Sequence, residues 1–142
     1  MAAVKARDRT LEELSVGLEA RFEQRLTDSD LDAFARLSGD HNPRHTSQEF
    51  SQRAGHRDRV VHGALLAALA SRLIGMELPG RRALLLSLRL DFVAPTFPGE
   101  TLEVVGTVES IHPAQRTIVM RLRIGCAGEP RARGSATVRI EE

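Results

Sequence analysis

The apolar positions fall into five strand-like stretches and three helical ones. Leu18, Ala20 and Phe22 alternate with Glu19, Arg21 and Glu23, the pattern of a half-buried strand. Leu84, Leu86, Leu88, Leu90 and Phe92 alternate with Leu85, Ser87, Arg89, Asp91 and Val93. Leu102 to Val108 forms a further run behind a Pro98-Gly99 turn. Ile118, Met120, Leu122 and Ile124 alternate with Val119, Arg121, Arg123 and Gly125, and Ala132 to Ile140 alternates again. Between the first strand and the rest lies a helical segment. Thr27 is a natural N-cap, with Asp28 and Asp30 in the first turn where the helix dipole favours acids. Leu31, Phe34, Ala35 and Leu37 share a face, and Gly39 closes the helix. Thr46 or Ser47 opens a second short helix to Ala54. The third, Gly63 to Gly75, is apolar nearly all round, which predicts burial. Consecutive strands joined by short turns imply an antiparallel sheet, so the expected class is α+β: one long buried helix wrapped by a sheet.

At 142 residues the chain is one domain, with a leader over residues 1–15 expected to be disordered and the folded part expected over 16–142. Hydrophobic residues make up 42% and charged residues 27%, an ordinary globular balance. There is no Trp or Tyr and the net charge is +1, so neither stacking platforms nor a global field favours nucleic acid as a partner. The positive charges are one lysine and nineteen arginines, most of them read as solvated. Cys126 stands alone, which excludes an intrachain disulfide. No apolar run approaches the roughly 20 residues of a membrane span, and the start of the chain lacks a signal-like apolar stretch. A cytoplasmic protein with no membrane partner is expected.

The chemistry concentrates in Ser38-Gly39-Asp40-His41-Asn42-Pro43-Arg44-His45. An Asn-Pro turn between Asp40 and His45 can aim a carboxylate and an imidazole into one pocket, where they form an acid/base pair able to handle water. Each residue alone reads as a satisfied helix-end group; together they read as catalytic. Val60-Val61-His62-Gly63 then opens the apolar helix. A histidine just before a helix more often satisfies local backbone, so His62 is read as structural first and as a substrate contact second. His41 and His45 have the spacing of a helical metal pair, but Pro43 breaks a helix between them, and no metal site is expected. Cys126 has no cationic neighbour in sequence and reads as a small buried residue.

The run Phe34 to His45, followed by Val61-His62-Gly63 and an apolar helix, resembles the MaoC-like (R)-specific enoyl-CoA hydratases, from about Leu18 to the C-terminus. The resemblance implies a hot-dog fold, an antiparallel sheet curled around a central helix, paired into a homodimer. It implies catalytic residues Asp40 and His45, the backbone N–H of Gly63 on the thioester carbonyl, and supporting roles for Asn42 and Ser71. No separate cofactor is implied; coenzyme A or acyl carrier protein enters as part of the acyl thioester substrate. Fatty acid metabolism is one setting for such chemistry. Arg44 departs from the family pattern, which has a small aliphatic residue there, and is expected to face solvent. Arg81, Arg82 and, more weakly, Arg116 are candidates for the phosphates of coenzyme A.

The reaction so implied is (R)-specific hydration of trans-2-enoyl thioesters, reversible as dehydration of (R)-3-hydroxyacyl thioesters. A helix N-terminus suits an enolate oxygen, because its N–H groups are unpaired and its dipole end is positive. The competing classes are a thioesterase on the same kind of fold, distinguished by release of free thiol, and a non-catalytic acyl-binding or heterodimer partner, distinguished by binding without turnover.

Overall fold

The computed structural model describes residues 2–142, so of the expected leader only Met1 lies outside the described residues. Strand β1 (Glu19–Arg25) leads into helices α1 (Asp28–Ser38), α2 (Pro43–Thr46) and α3 (Gln48–Arg53), then the central helix α4 (Gly63–Arg72). Strands β2 (Ala83–Phe92), β3 (Thr101–His112), β4 (Thr117–Cys126) and β5 (Glu129–Ile140) follow. They form one antiparallel sheet in the order β1-β3-β4-β5-β2, which leaves β1 and β2 as its edges. This is the α+β arrangement expected, a sheet wrapped on a helix.

The alternation in β4 translates directly into packing. Ile118, Met120, Leu122 and Ile124 are all buried, and they meet Leu102, Val104 and Val108 of β3 and Ala136, Val138 and Ile140 of β5. Each large side chain so buried contributes about 1.5–3 kcal/mol. The helix seats on this face through Leu66, Leu69 and Ala70, and through Leu73 and Ile74 of a π-helical turn, Leu73–Glu77, that continues α4. Gly106 permits the close seating: a Cβ there would stand 2.4 Å from Leu73 Cδ2 and 3.1 Å from Met120 Cε.

Four expectations are corrected. The central helix is buried on one face and not all round, since Ala64, Ala68, Ser71 and Arg72 are exposed; alanine favours helix without needing burial. Leu37 is 84% exposed although Leu31 and Ala35 on the same helix are buried. Strand β2 changes phase: a bulge between Leu85 and Ser87 turns Ala83 and Leu85, then Leu88 and Leu90, to the core, and leaves Leu84 and Leu86 exposed. The leader is not free from Arg7 onward. Its Arg7 N–H donates to the Met76 carbonyl at 2.8 Å, Asp8 bridges to Gly80, and Leu11 and Leu14 join the core. No helix among the described residues is long and apolar enough to cross a membrane.

Candidate active site

Helix α1 starts with a reciprocal cap, Thr27 Oγ1 accepting from the Asp30 N–H and Asp30 returning a bond to the Thr27 N–H. It ends at Gly39, whose φ of 77° lies in the left-handed region that glycine adopts without strain. From there Ser38, Asp40 and Asn42 each fix the piece of backbone that follows. Ser38 Oγ accepts from the Asp40 N–H at 3.1 Å, Asp40 Oδ1 from the Asn42 N–H at 3.2 Å, and Asn42 Oδ1 from the Arg44 N–H at 2.9 Å. Asn42 thereby caps α2, with Pro43 at the first helical position. Asn42 thus holds the turn.

His45 leaves α2 toward the segment that precedes α4. Its Nδ1 lies 2.6 Å from the Val60 carbonyl oxygen, and the Val60 N–H returns a bond to the Arg44 carbonyl. That segment is clamped on both sides. Ser51 Oγ donates to the Asp58 carbonyl at 2.7 Å, and the Val61 N–H donates to Thr96. Arg59, only 8% exposed, donates to Asp32 at 2.6 Å and to Asp28 at 2.8 Å, tying it to α1. The result sets His45 Nε2 3.9 Å from Asp40 Oδ2.

A carbonyl oxygen only accepts, so His45 carries a hydrogen on Nδ1, and its Nε2 faces the carboxylate. The 3.9 Å gap is too long for a direct hydrogen bond. It suits a single water molecule donating to both groups.

Beside the pair lies the start of α4. The N–H groups of Leu65 and Leu66 donate to the His62 carbonyl, while those of Gly63 and Ala64 meet no acceptor among the described residues. Gly63 lines a cleft of about 400 Å³ together with His45, Val61, Leu66 and Phe92 and the loop from Val93 to Thr96. A Cβ on Gly63 would come within 3.0 Å of the Phe92 ring. The loop is pinned by Arg131, which donates to the Pro95 carbonyl at 2.7 Å and to Glu100 at 2.6 Å. Burial alone would push the Glu100 carboxyl up. The Arg131 guanidinium and the Phe97 N–H outweigh it and hold the carboxyl below the usual range.

The structure thus brings Asp40, His45, Asn42, His62 and Gly63 together. It leaves three other expected residues apart. Ser71 is exposed near the end of α4, eight residues from Gly63 and so about 12 Å along the axis. Arg81 and Arg82 lie beyond the far end of α4, where they pair with Asp8 at 3.7 and 2.6 Å. Arg44 is exposed, as expected. Leu65 and Leu69 line a groove of about 680 Å³ between α1 and α4, separate from the cleft that Gly63 and Phe92 line.

Sequence reasoning missed the Val60 carbonyl and the Arg59 clamp, because neither a carbonyl nor an ion pair 27 residues apart leaves a local signal. It also missed the stacking of His62 on His45, ring centroids 4.0 Å apart and planes 25° apart. Asp40, His45 and His62 offer metal-type ligand atoms within 4.8 Å of one another. The two rings lie in stacked planes, and one nitrogen of each already faces a backbone carbonyl, His45 Nδ1 that of Val60 and His62 Nε2 that of Asp40.

Against known proteins, the family described as MaoC like domain matches residues 12–128. An (R)-specific enoyl-CoA hydratase of Rhodospirillum rubrum is 32% identical over 91% of this chain and 90% of its own length. A 3-hydroxybutyryl-CoA dehydratase of Methylorubrum extorquens is 36% identical over 81% of this chain and 71% of its own. Among solved structures, an R-hydratase from Pseudomonas aeruginosa in the unliganded form superposes with a TM-score of 0.90 at 30% identity, covering 96% of this chain and 88% of that one.

Proposed function

The chain belongs to the MaoC-like family, and on that premise we propose that it is a hydro-lyase that adds water to trans-2-enoyl thioesters to give (R)-3-hydroxyacyl thioesters, and reverses the step. The observation that carries this reading is the Asp40–His45 separation of 3.9 Å beside the unpaired N–H groups at the start of α4. Water donates one hydrogen to His45 Nε2 and one to Asp40 Oδ2. As its oxygen bonds to the β-carbon, the π electrons move to the thioester oxygen and Nε2 takes the proton. The Gly63 N–H receives the developing enolate. The pair then returns a proton to the α-carbon and the carbonyl re-forms, so atoms and charge balance. Losing an oxyanion donor of this kind costs about 10²–10³ in rate.

The acyl group arrives on coenzyme A or an acyl carrier protein, with no separate cofactor and no metal. The active form is a homodimer. Supporting it are the unpaired edge of β2 and the exposed apolar groups along it, Leu84, Leu86, Phe92 and Val93. A cytoplasmic setting and a role in fatty acid metabolism fit this chemistry and a lone free thiol at Cys126.

The test is the loss of enoyl absorbance when the protein meets crotonyl-CoA, run beside Asp40→Asn and His45→Gln, with the handedness of the product determined. Turnover to the (R)-3-hydroxy product, lost in both variants, supports the reading. Release of free coenzyme A thiol without hydroxyacyl product overturns it in favour of thioester hydrolysis.

A further inference from the structure

One imidazole of the site takes no part in the proton transfers, yet it touches every part that does. His62 is 1% exposed. Its Nε2 lies 3.1 Å from the Asp40 carbonyl oxygen, one face stacks on His45, and Phe34 meets it edge-on at 4.9 Å. Its own carbonyl accepts the Leu65 and Leu66 N–H groups, and its peptide leads directly to the Gly63 N–H.

The protonation of this ring follows from its partners. The Asp40 carbonyl can only accept, so Nε2 carries the hydrogen. Nδ1 is buried and meets no partner. A second proton there would create a buried cation whose new N–H has no acceptor, which is costly. The charged groups acting on the ring are His45, Asp40 and Arg59. Burial pushes the imidazole below the ordinary histidine range; the bond to the Asp40 carbonyl opposes the shift, and any charge on His45 adds to it.

We propose that His62, as an uncharged ring, is the positioning residue of the acid/base pair, holding His45 by stacking and Asp40 by hydrogen-bond donation to its carbonyl, and so locking both to the start of α4. Neutrality is what makes the stack compatible with turnover: when His45 takes the proton from water, it stacks on an uncharged ring and not on a second cation. This inference rests on the catalytic roles given above to Asp40 and His45.

Two variants separate the two contacts. His62→Phe keeps a flat ring against His45 but removes the donor. His62→Gln places an amide N–H near the Nε2 position but removes the ring. In folded protein, each is expected to lower kcat on crotonyl-CoA by about 10- to 100-fold, the scale of a small misplacement of reacting groups, with KM within threefold and the acid limb of the kcat–pH profile displaced. Wild-type kcat and an unmoved profile in both folded variants, or a loss confined to KM, overturn the proposal.

A readout without turnover distinguishes this failure from failure of the hydratase reading. In ¹⁵N-histidine NMR spectra of the wild-type protein, His62 is expected as the Nε2–H tautomer, with its second protonation displaced below the ordinary histidine range. If crotonyl-CoA is not turned over but these signals hold, the positioning role stands and the substrate assignment fails. If His62 titrates near pH 6.5 or carries its hydrogen on Nδ1, the positioning role is overturned whatever the activity and whether or not the variants fold.

Discussion

The turn that carries Asp40 and His45 and the helix that begins at Gly63 meet in one cleft but hold their shapes by opposite means. The helix is seated by burial: Leu66, Leu69, Leu73 and Ile74 lie against the sheet, within reach of Gly106. The turn buries little. Asp40 through Arg44 are all exposed, and their geometry comes from a relay of short side-chain-to-backbone bonds ending on the Val60 carbonyl. A carboxylate that must reach water and substrate cannot be fixed by burying it. Fixing the backbone on either side achieves the same precision while leaving the reactive atoms open.

The comparison makes distinct demands on substitutions in the two regions. Asp40→Asn and His45→Gln are expected to lower kcat by about 10²–10⁴, the usual range for a lost acid or base, while Tm in a thermal melt stays close to wild type. A large fall in Tm would mean that the turn carries stability after all. Leu73→Ala reverses the pattern, with a loss of about 2–5 kcal/mol in denaturant unfolding and near-normal kcat per folded molecule at low temperature. Asn42→Ala sits between them. Loss of a cap costs about 0.5–2 kcal/mol, and kcat is expected to fall along with it because the cap orients the helix that carries His45; unchanged kcat would separate the cap from the site.

The smallest effect concerns pH. Because His62 binds its proton less readily in the folded state, the unfolded chain takes up more protons once pH falls below about 6.5. Stability from this group is therefore complete above that pH and declines as the medium becomes more acidic. Thermal melts from pH 7.5 down to pH 5 are expected to show the decline in the wild type and a shallower one in His62→Phe.

Much of this division was legible in the residues themselves. The capping box at Thr27 and Asp30, the left-handed Gly39 and the inward row of β4 are local patterns whose consequences stay local. The geometry of the turn that carries Asp40 and His45 was legible for the same reason, since its ladder of bonds spans only a few residues. What escaped depended on distant backbone or on relative strand phase. Arg81 and Arg82 find Asp8 more than seventy residues away, and Leu37 falls outside the strip that the sheet covers. In β2 four of the five leucines, Leu84, Leu86, Leu88 and Leu90, share one phase, so alternation alone could not reveal that a bulge turns the first two outward.

That change of phase decides what lies against the active helix. With Ala83 paired to Ile140 and facing inward, an uninterrupted strand would bring Asp91 opposite Ala132 on the same face. The bulge takes Leu86 out of the pairing and so places Phe92 there instead, its ring against Gly63. An aspartate in that position would set a tethered carboxylate on the positive end of α4, where it would compete with the enolate proposed to bind there. The bulge, some six residues upstream of the cleft, thus keeps a carboxylate away from the start of α4.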